Sequence, residues 1–168
     1  ASLYRLPFGQ IFVRSVSTTA LGILEGATEA FLEIARAKIG QADGAKAAEQ
    51  VRTQEVVAHA RATLDELRLV LDRNIGSMVA LAEAGHKIEI PDRVRYRYDS
   101  SRAVERCAEA VDALFTASGG RALFEDHPLN RYFLDIHGAR AHFANNPDKP
   151  SRNLGAVELG MRNTDFFL

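Results

Sequence analysis

The sequence contains no tryptophan, only one cysteine and no long uninterrupted apolar run. A single thiol excludes an internal disulfide framework and fits a reducing environment, so we expect a cytoplasmic protein. The 21 basic and 22 acidic side chains give a net charge of −1, without the basic excess that binds nucleic acid. We expect neither a membrane span nor a signal peptide. These absences favour an ordinary globular domain.

Alternation of apolar and polar residues, the pattern of β-strands, is almost missing, which predicts an all-α protein. A chain of 168 residues is long enough for one domain with its own core. It begins at Ala1 without Met, in a Tyr-Arg-Leu-Pro stretch typical of an exit from an earlier element. We therefore expect residues 1–168 to form a single helical-bundle domain from the C-terminal part of a longer polypeptide.

Helical periodicity predicts four long helices and a short C-terminal one. Pro7 suits the start of the first helix, and Gly119-Gly120 ends the third. The expected architecture is an antiparallel four-helix bundle with a short helix appended. The predicted helices cover, in order, residues 8–39, 46–84, 92–118, 129–143 and 151–162.

Apolar residues at three-to-four spacing predict the buried faces. In the first helix the predicted face is Phe12, Val16, Thr19, Ile23, Gly26, Ala30 and Ile34. Small residues there, Gly22 and Gly26 among them, predict close approach of another helix. In the third helix the stripe is Ser100, Val104, Cys107, Val111 and Leu114. Cys107 is therefore expected to be buried and inert, which leaves nucleophilic catalysis without support.

Residues 119–146 gather more hydrogen-bonding groups beside aromatic rings than a helix that only fills a core. His142 lies seven residues after Asp135, two helical turns on, so the two are predicted to share one face. One interpretation is a neutral imidazole that hydrogen-bonds a substrate oxygen or moves a proton. The other is a capping or core histidine near a helix end.

The remaining polar candidates have simpler interpretations. His137 is expected to pair with Arg140 and Asn145 at the surface. No Glu-x-x-His pair or histidine–carboxylate grouping has the spacing of metal ligands, so no metal site is predicted.

Three further candidates each have two interpretations. Arg36 is either a helix C-cap or a fork for a phosphate. Gly119-Gly120 is either a helix stop or a place where a ligand approaches the backbone closely. Phe12 is either a core residue or the wall of a binding site. Spacing alone leaves these alternatives open.

Three motifs in order identify a family resemblance. The first is Arg36 to Gly40, Arg-Ala-Lys-Ile-Gly. The second is Phe115 to Gly120, and the third is Asp126 to Arg131, Asp-His-Pro-Leu-Asn-Arg, which leads to Asp135. This order resembles the C-terminal helical domain of the acyl-CoA dehydrogenase fold, whose motifs are Arg-x-x-Phe-Gly, Gln-x-x-Gly-Gly and Asp-x-Pro-x-x-Arg. The resemblance covers nearly the whole chain.

Departures from these motifs indicate a branch of the family. Thr116 stands where the motif has Gln, Ile39 where it has Phe, and Leu134 where an Arg often precedes the Asp. In dehydrogenases the first two groups help to hold the adenine half of FAD across a subunit interface. His142 and the aromatic C-terminal tail are instead similar to flavin-dependent monooxygenases, of the type of the oxygenase component of two-component p-hydroxyphenylacetate 3-hydroxylase.

That resemblance implies a complete set of expectations. A separate flavin reductase would supply reduced FMN or FAD, and O2 would provide the oxygen atom added beside the hydroxyl of a small aromatic substrate. His142 would hydrogen-bond the substrate oxygen or the oxygenated flavin, and Phe12 would wall the aromatic pocket. Arg36 and the Gly119-Gly120 backbone would lie near the flavin of a neighbouring subunit in a homo-oligomer, a dimer or tetramer. By itself the 168-residue chain is expected to bind flavin poorly and to have no turnover.

Two other functions remain open at this point. The first is an acyl-CoA dehydrogenase-type flavoenzyme domain, although neither Glu125 nor Glu158 is placed convincingly as its catalytic base. The second is a non-catalytic helical oligomerisation module, for which replacing His142 would change nothing.

Overall fold

The computed structural model describes residues 2–37 and 47–168, and all regular elements within these ranges are helical. Four helices form the bundle and a fifth packs against the third, which confirms the expected all-α, four-helix architecture. None of the described helices combines the length and apolarity needed to cross a bilayer. The helices are α1 (Phe8–Ala37), α2 (Val51–Glu83), α3 (Ile90–Ser118), α4 (Pro128–Ala141) and α5 (Asp148–Glu158), with 3-10 turns at Ser2–Arg5, Ala47–Glu49, Gly120–Leu123 and Phe143–Asn145.

Helix ends differ from the predicted ones where a single residue is extended. The predicted end of the first helix at 38–40, the turn at 41–45 and Lys46 lie outside the described residues. Helix α2 begins at Val51 because Gln50 has an extended backbone, with ψ at 131°. Helix α4 ends at Ala141, two residues early, because His142 is also extended, with ψ at 132°.

Helix α5 is displaced toward the N-terminus relative to its prediction. It begins at Asp148, whose carboxylate suits the positive end of the helix dipole. Pro150 lies in its first turn, where a missing N–H costs nothing. The helix ends at Glu158, and Gly160 follows with φ at 82°, a left-handed conformation that favours glycine. The prediction had placed both ends about three to four residues later.

Charged pairs between helices show the directions in which they run. Between neighbouring helices, residue numbers rise on one helix as they fall on the other. Helices α1 and α2, α2 and α3, and α3 and α4 are therefore antiparallel, and α1 runs parallel to α3. Because at least one side chain of every pair is more than a third exposed, each pair contributes about 0–1 kcal/mol and indicates geometry more than stability. The pairs are Arg61–Glu29, Arg68–Glu25, Arg14–Asp72, Arg106–Glu66, Arg73–Asp99, His137–Asp112 and Arg140–Glu105.

The buried face of α1 is not the predicted one. The predicted residues are half-buried or, at Thr19, exposed, and they lie beside the true core stripe. Helix α1 contacts α2, α3 and α4, so its buried arc is wide and contains two stripes with the same periodicity. Periodicity alone could not rank them. The core stripe is Val13, Ser17, Ala20, Leu24, Ala27 and Phe31, whereas the predicted stripe of α3 is buried throughout.

Gly26 confirms the predicted close approach of another helix. A Cβ at this position would lie 2.7 Å from Cε1 of the Tyr132 ring on α4, whereas a Cβ at Gly22 would meet no atom within 4 Å. We expect Gly26→Val to lower the free energy of unfolding by about 2 kcal/mol, because the Tyr132 ring must leave its place.

Gly22→Val is the matched control on the same helix. Since valine and glycine have similar helix propensities, it should change stability by less than about 0.5 kcal/mol. Chemical denaturation of both variants measures the difference. Equal effects of the two substitutions would show that Tyr132 yields without cost.

Candidate functional site

His142 stands at the junction between α4 and the 3-10 turn that follows. Its Nδ1 accepts a hydrogen bond of 3.2 Å from the backbone N–H of Ala144, so it caps that turn. In the neutral ring this bond assigns the proton to Nε2, which becomes a donor. The interpretation of His142 as a capping histidine is therefore correct, and the cap leaves the other ring nitrogen for a second role.

The shared face of Asp135 and His142 stays a prediction. Helix α4 ends at Ala141, and His142 follows directly as its C-cap residue, with φ at −67°. Asp135 lies on the exposed surface of α4 and pairs with Arg131 one turn earlier, at 3.5 Å.

His142 belongs to a group of rings that come from three separate parts of the chain. We call Phe8, Phe12, His142, Phe143 and Phe167 the aromatic cluster. Phe12 is its centre, with ring centroids 6.1 Å from His142, 6.2 Å from Phe143 and 5.6 Å from Phe167. Only the family resemblance predicted that Phe12 and His142 lie together, and in the structure their rings are in contact.

One side of the aromatic cluster is open. Phe8 exposes 74% and Phe143 69% of its surface, whereas Phe12, His142 and Phe167 are half-buried. Exposed aromatic surface of this kind marks a place where a ligand or another polypeptide segment covers the protein. The arrangement offers flat apolar walls and one hydrogen-bond donor, which suits a planar aromatic ligand with a polar substituent.

Buried hydrogen bonds hold the C-terminal tail against this cluster. Asn153 on α5 is 4% exposed, and its Nδ2 donates to Asn163 Oδ1 at 2.7 Å. Its Oδ1 accepts from the N–H of Thr164 at 2.9 Å and from that residue's hydroxyl at 3.2 Å. Asp165 Oδ1 then accepts from the N–H of Phe167 at 3.1 Å. These bonds position the Phe167 ring, which the sequence analysis described only as part of an aromatic tail.

The predicted cofactor residues lie at the other end of the bundle. Arg36 is exposed in the last turn of α1, and Gly119 ends α3 with φ at 81°. A Cβ on Gly119 or Gly120 would meet no atom within 4 Å, so the space beside their backbone is open. Arg36 is 24 residues from Phe12 along one helix, or about 36 Å. Within one chain, Arg36 and the Gly119-Gly120 backbone therefore lie at one end of the bundle and His142 lies at the other.

His137 has a different partner from the predicted one. Its Nε2 lies 2.9 Å from Asp112 Oδ1, and its ring packs edge-on against Phe133. Arg140 lies 4.0 Å from Glu105, and Asn145 is buried and donates to the carbonyl of Ala139. The predicted partners of His137 were all taken from its own segment of the sequence. In the structure, His137 and Arg140 both reach from α4 to acidic residues of α3. Among residues 2–37 and 47–168, no group of three His, Cys, Asp or Glu side chains could hold a metal ion.

A second feature, absent from the sequence analysis, is a cleft of about 460 Å³ beside the aromatic cluster. Phe143 and Phe167 belong to both. Arg97 of α3 lines the cleft although it exposes only 6% of its surface. The sequence did contain a signal for the burial of Arg97. It precedes Ser100 and Val104 by about one and two helical turns, so it continues the buried stripe of α3.

Cys107 is buried in the core, as predicted, and burial raises the pKa of its thiol from 9.0 to about 12. At pH 8 the thiolate fraction falls roughly 1,000-fold below that of a free thiol. Because it is the only cysteine, a thiol reagent reports on it directly. We expect labelling of the native protein to be at least about 100-fold slower than labelling in denaturant.

The same shift gives a pH dependence of stability. Above pH 9 the unfolded chain loses the thiol proton while the folded chain keeps it, so the free energy of unfolding falls as the pH rises from 9 toward 12. Denaturation of the native protein and of Cys107→Ala across this range isolates the effect. If both lose stability equally, the thiol is not responsible.

Comparison with known proteins gives a consistent set of matches. The family profile described as "Acyl-CoA dehydrogenase, C-terminal domain" matches residues 15–147. HsaA, the oxygenase subunit of a flavin-dependent monooxygenase from Rhodococcus jostii (strain RHA1), is 32% identical over 166 residues, 98% of this chain and 44% of that protein. The crystal structure of 3-HSA hydroxylase from Rhodococcus sp. RHA1 matches with a TM-score of 0.91 and 32% identity, over 100% of this chain and 43% of that one.

A more distant relative is the oxygenase component of p-hydroxyphenylacetate 3-hydroxylase from Acinetobacter baumannii. It is 25% identical over 162 residues, which cover 96% of this chain and 38% of that protein. The chain thus spans less than half the length of each of these relatives.

Proposed function

This chain belongs to the acyl-CoA dehydrogenase C-terminal domain family, and on that premise we propose that it is the C-terminal domain of a reduced-flavin-dependent aromatic hydroxylase. The relatives named above are oxygenase components, in agreement with the branch that the motifs indicate. The observation that carries the proposal is the position of His142. Its ring caps the 3-10 turn through Nδ1 and lies against Phe12, which leaves Nε2 as the nitrogen that the cap does not use.

The side chains of this domain would orient the substrate. His142 donates a hydrogen bond from Nε2 to the hydroxyl oxygen of a phenol and stabilises negative charge on that oxygen as the ring is attacked. Phe12, Phe143 and Phe167 hold the ring by stacking and edge contacts and exclude water. When bound, reduced flavin together with O2 supplies the oxygen atom that is transferred beside the hydroxyl.

The remaining features complete the assembly that we propose. Arg36 and the open backbone at Gly119-Gly120 are suited to the phosphate and ribityl part of FMN or FAD, bound between subunits of a homotetramer in the cytoplasm. The separation of about 36 Å between Arg36 and Phe12 supports a flavin shared across subunits. A separate reductase supplies the reduced flavin.

The test uses the natural polypeptide that contains this chain. With NADH, a flavin reductase and a phenol, it should consume O2 and form a catechol. With an acyl-CoA and oxidised flavin it should give no flavin reduction. The reverse pattern would establish an acyl-CoA dehydrogenase, and the absence of both reactions would leave an oligomerisation module.

A further inference from the structure

The guanidinium of Arg97 is buried without the partners that such a group requires. Its Nε and Nη1 are inaccessible to solvent and have no hydrogen-bond acceptor among the described residues. Burial lowers the pKa of Arg97, and the nearby carboxylate of Asp165 acts in the opposite direction without forming an ion pair within 4.0 Å. A buried charge is costly unless it is paired and hydrogen-bonded. The side chain is therefore placed for an acceptor that comes from elsewhere.

The cleft that Arg97 lines provides the space and the charge for such an acceptor. Two further cations, Lys149 and Arg152, line it against two acids, Asp148 and Asp165. Asp165 is already engaged, since its Oδ1 lies 3.3 Å from Lys149 Nζ and accepts from a backbone N–H. The lining therefore carries an excess of one positive charge.

The cleft also has aromatic walls. Phe143, Phe166 and Phe167 line it, and Lys149 Nζ lies 5.3 Å above the Phe166 ring. Two of these rings, Phe143 and Phe167, also belong to the aromatic cluster that contains His142. A volume of about 460 Å³ is within the usual range for small-molecule sites. The cleft and the cluster are thus adjoining parts of one surface.

We propose that this cleft binds the carboxylate of a phenolic acid, with Arg97 as the specificity-determining residue; the proposal rests on the proposed function, which supplies the phenol. A guanidinium can donate two parallel hydrogen bonds to a carboxylate, and here the ligand has to displace the atoms that cover Nε and Nη1 to receive them. Lys149 and Arg152 add charge at the rim. The aromatic ring of the substrate then lies along Phe143 and Phe167, and its hydroxyl reaches toward His142.

Binding is measured by calorimetry on the natural polypeptide with two probes of equal length, 3-(4-hydroxyphenyl)propanoate and 4-propylphenol. We expect Arg97→Met to weaken binding of the acid about 30-fold, the loss typical of a charged hydrogen-bonded pair, and to change binding of the neutral phenol less than about twofold. Arg97→Lys should restore part of the loss. Arg102→Met, on the exposed face of α3, is the matched control and should change neither affinity.

Stability provides a second readout. Because Arg97→Met removes an unpaired buried charge and keeps much of the volume, the ligand-free variant should be at least as stable as the native protein. A lower melting temperature would show that Arg97 is paired within the protein and would overturn the proposal. Arg152→Gln keeps the test available if Arg97→Met does not fold, and it should weaken binding of the acid alone by about threefold.

Other results decide between sources of the negative charge. Equal losses for both phenols, or none for the acid, would overturn the proposal. If Arg97→Met instead removes a preference for FMN over riboflavin and leaves both phenols unaffected, the cleft binds the flavin phosphate and the proposal is wrong. Hydroxylation is assayed separately: charge-selective binding without turnover would defeat the proposed function while this site stands, and turnover without charge selectivity would do the opposite.

Discussion

Replacing His142 with asparagine is expected to lower the rate of phenol hydroxylation by about 100-fold and to increase release of H2O2, while the protein remains folded. Asparagine can still cap the 3-10 turn, because its side-chain oxygen accepts the N–H of Ala144 as Nδ1 does in the native protein. What disappears is the donor at the position of Nε2. The measurement is catechol formed and H2O2 released per O2 consumed, in the natural polypeptide supplied with reduced flavin.

Two variants make this result specific. His142→Gln places a side-chain N–H near the position of Nε2 and should recover part of the rate. His59→Asn, on the exposed surface of α2, is the control for a histidine outside the aromatic cluster and should have no effect. A full rate in His142→Asn would mean that the imidazole only caps the turn, and the domain would then be a scaffold.

Replacing Asn153 with leucine is expected to release the C-terminal tail from α5. The substitution removes three hydrogen bonds to Asn163 and Thr164. At about 1 kcal/mol for each bond, the tail becomes about 100-fold more often detached. Phe167 then leaves the ring of Phe12, and the aromatic wall opens to water. Molecules with a detached tail lose positioning and should react about 100-fold more slowly, so hydroxylation should fall in proportion to the detached fraction.

Limited proteolysis after residue 158 measures the release of the tail independently of activity. Glu158→Gln is the matched control on the same helix, because it breaks only an exposed pair with Arg95, at 2.9 Å. That variant should be cleaved no faster than the native protein. Cleavage of Asn153→Leu as fast as in denaturant, together with an unchanged hydroxylation rate, would show that Phe167 takes no part in the site.

The fold followed from local signals in the sequence. Helical periodicity and the Gly119-Gly120 stop act over a few residues, and they predicted the helices well. The errors have tertiary causes. The core stripe of α1 could not be chosen from two similar ones, because the number of helices packed against α1 is not visible in its own sequence. His137 was assigned partners along its own segment, whereas its partner Asp112 comes from α3.

The candidate site was only partly predictable for the same reason. The family resemblance joined Phe12 to His142 across 130 residues of sequence, and periodicity alone did not. The predicted fourth helix continued past His142, whereas His142 is itself the extended residue at which α4 stops. The position of Phe167 depends on the hydrogen bonds of Asn153, and the burial of Arg97 depends on its spacing from Ser100 along α3. Those are contacts between distant segments, and no single stretch of the chain contains them.

Helix α1 has a consequence for how such a chain tolerates changes in length. It runs without interruption from Phe8 to Ala37, so it fixes both the distance and the angle between Phe12 and Arg36. One residue inserted between them would turn the two ends by about 100° relative to each other and move them apart by about 1.5 Å. A loop can accommodate an extra residue locally, whereas in this helix the rotation and the shift would reach every residue beyond the insertion. The length of α1 therefore sets the separation of the two ends of the domain.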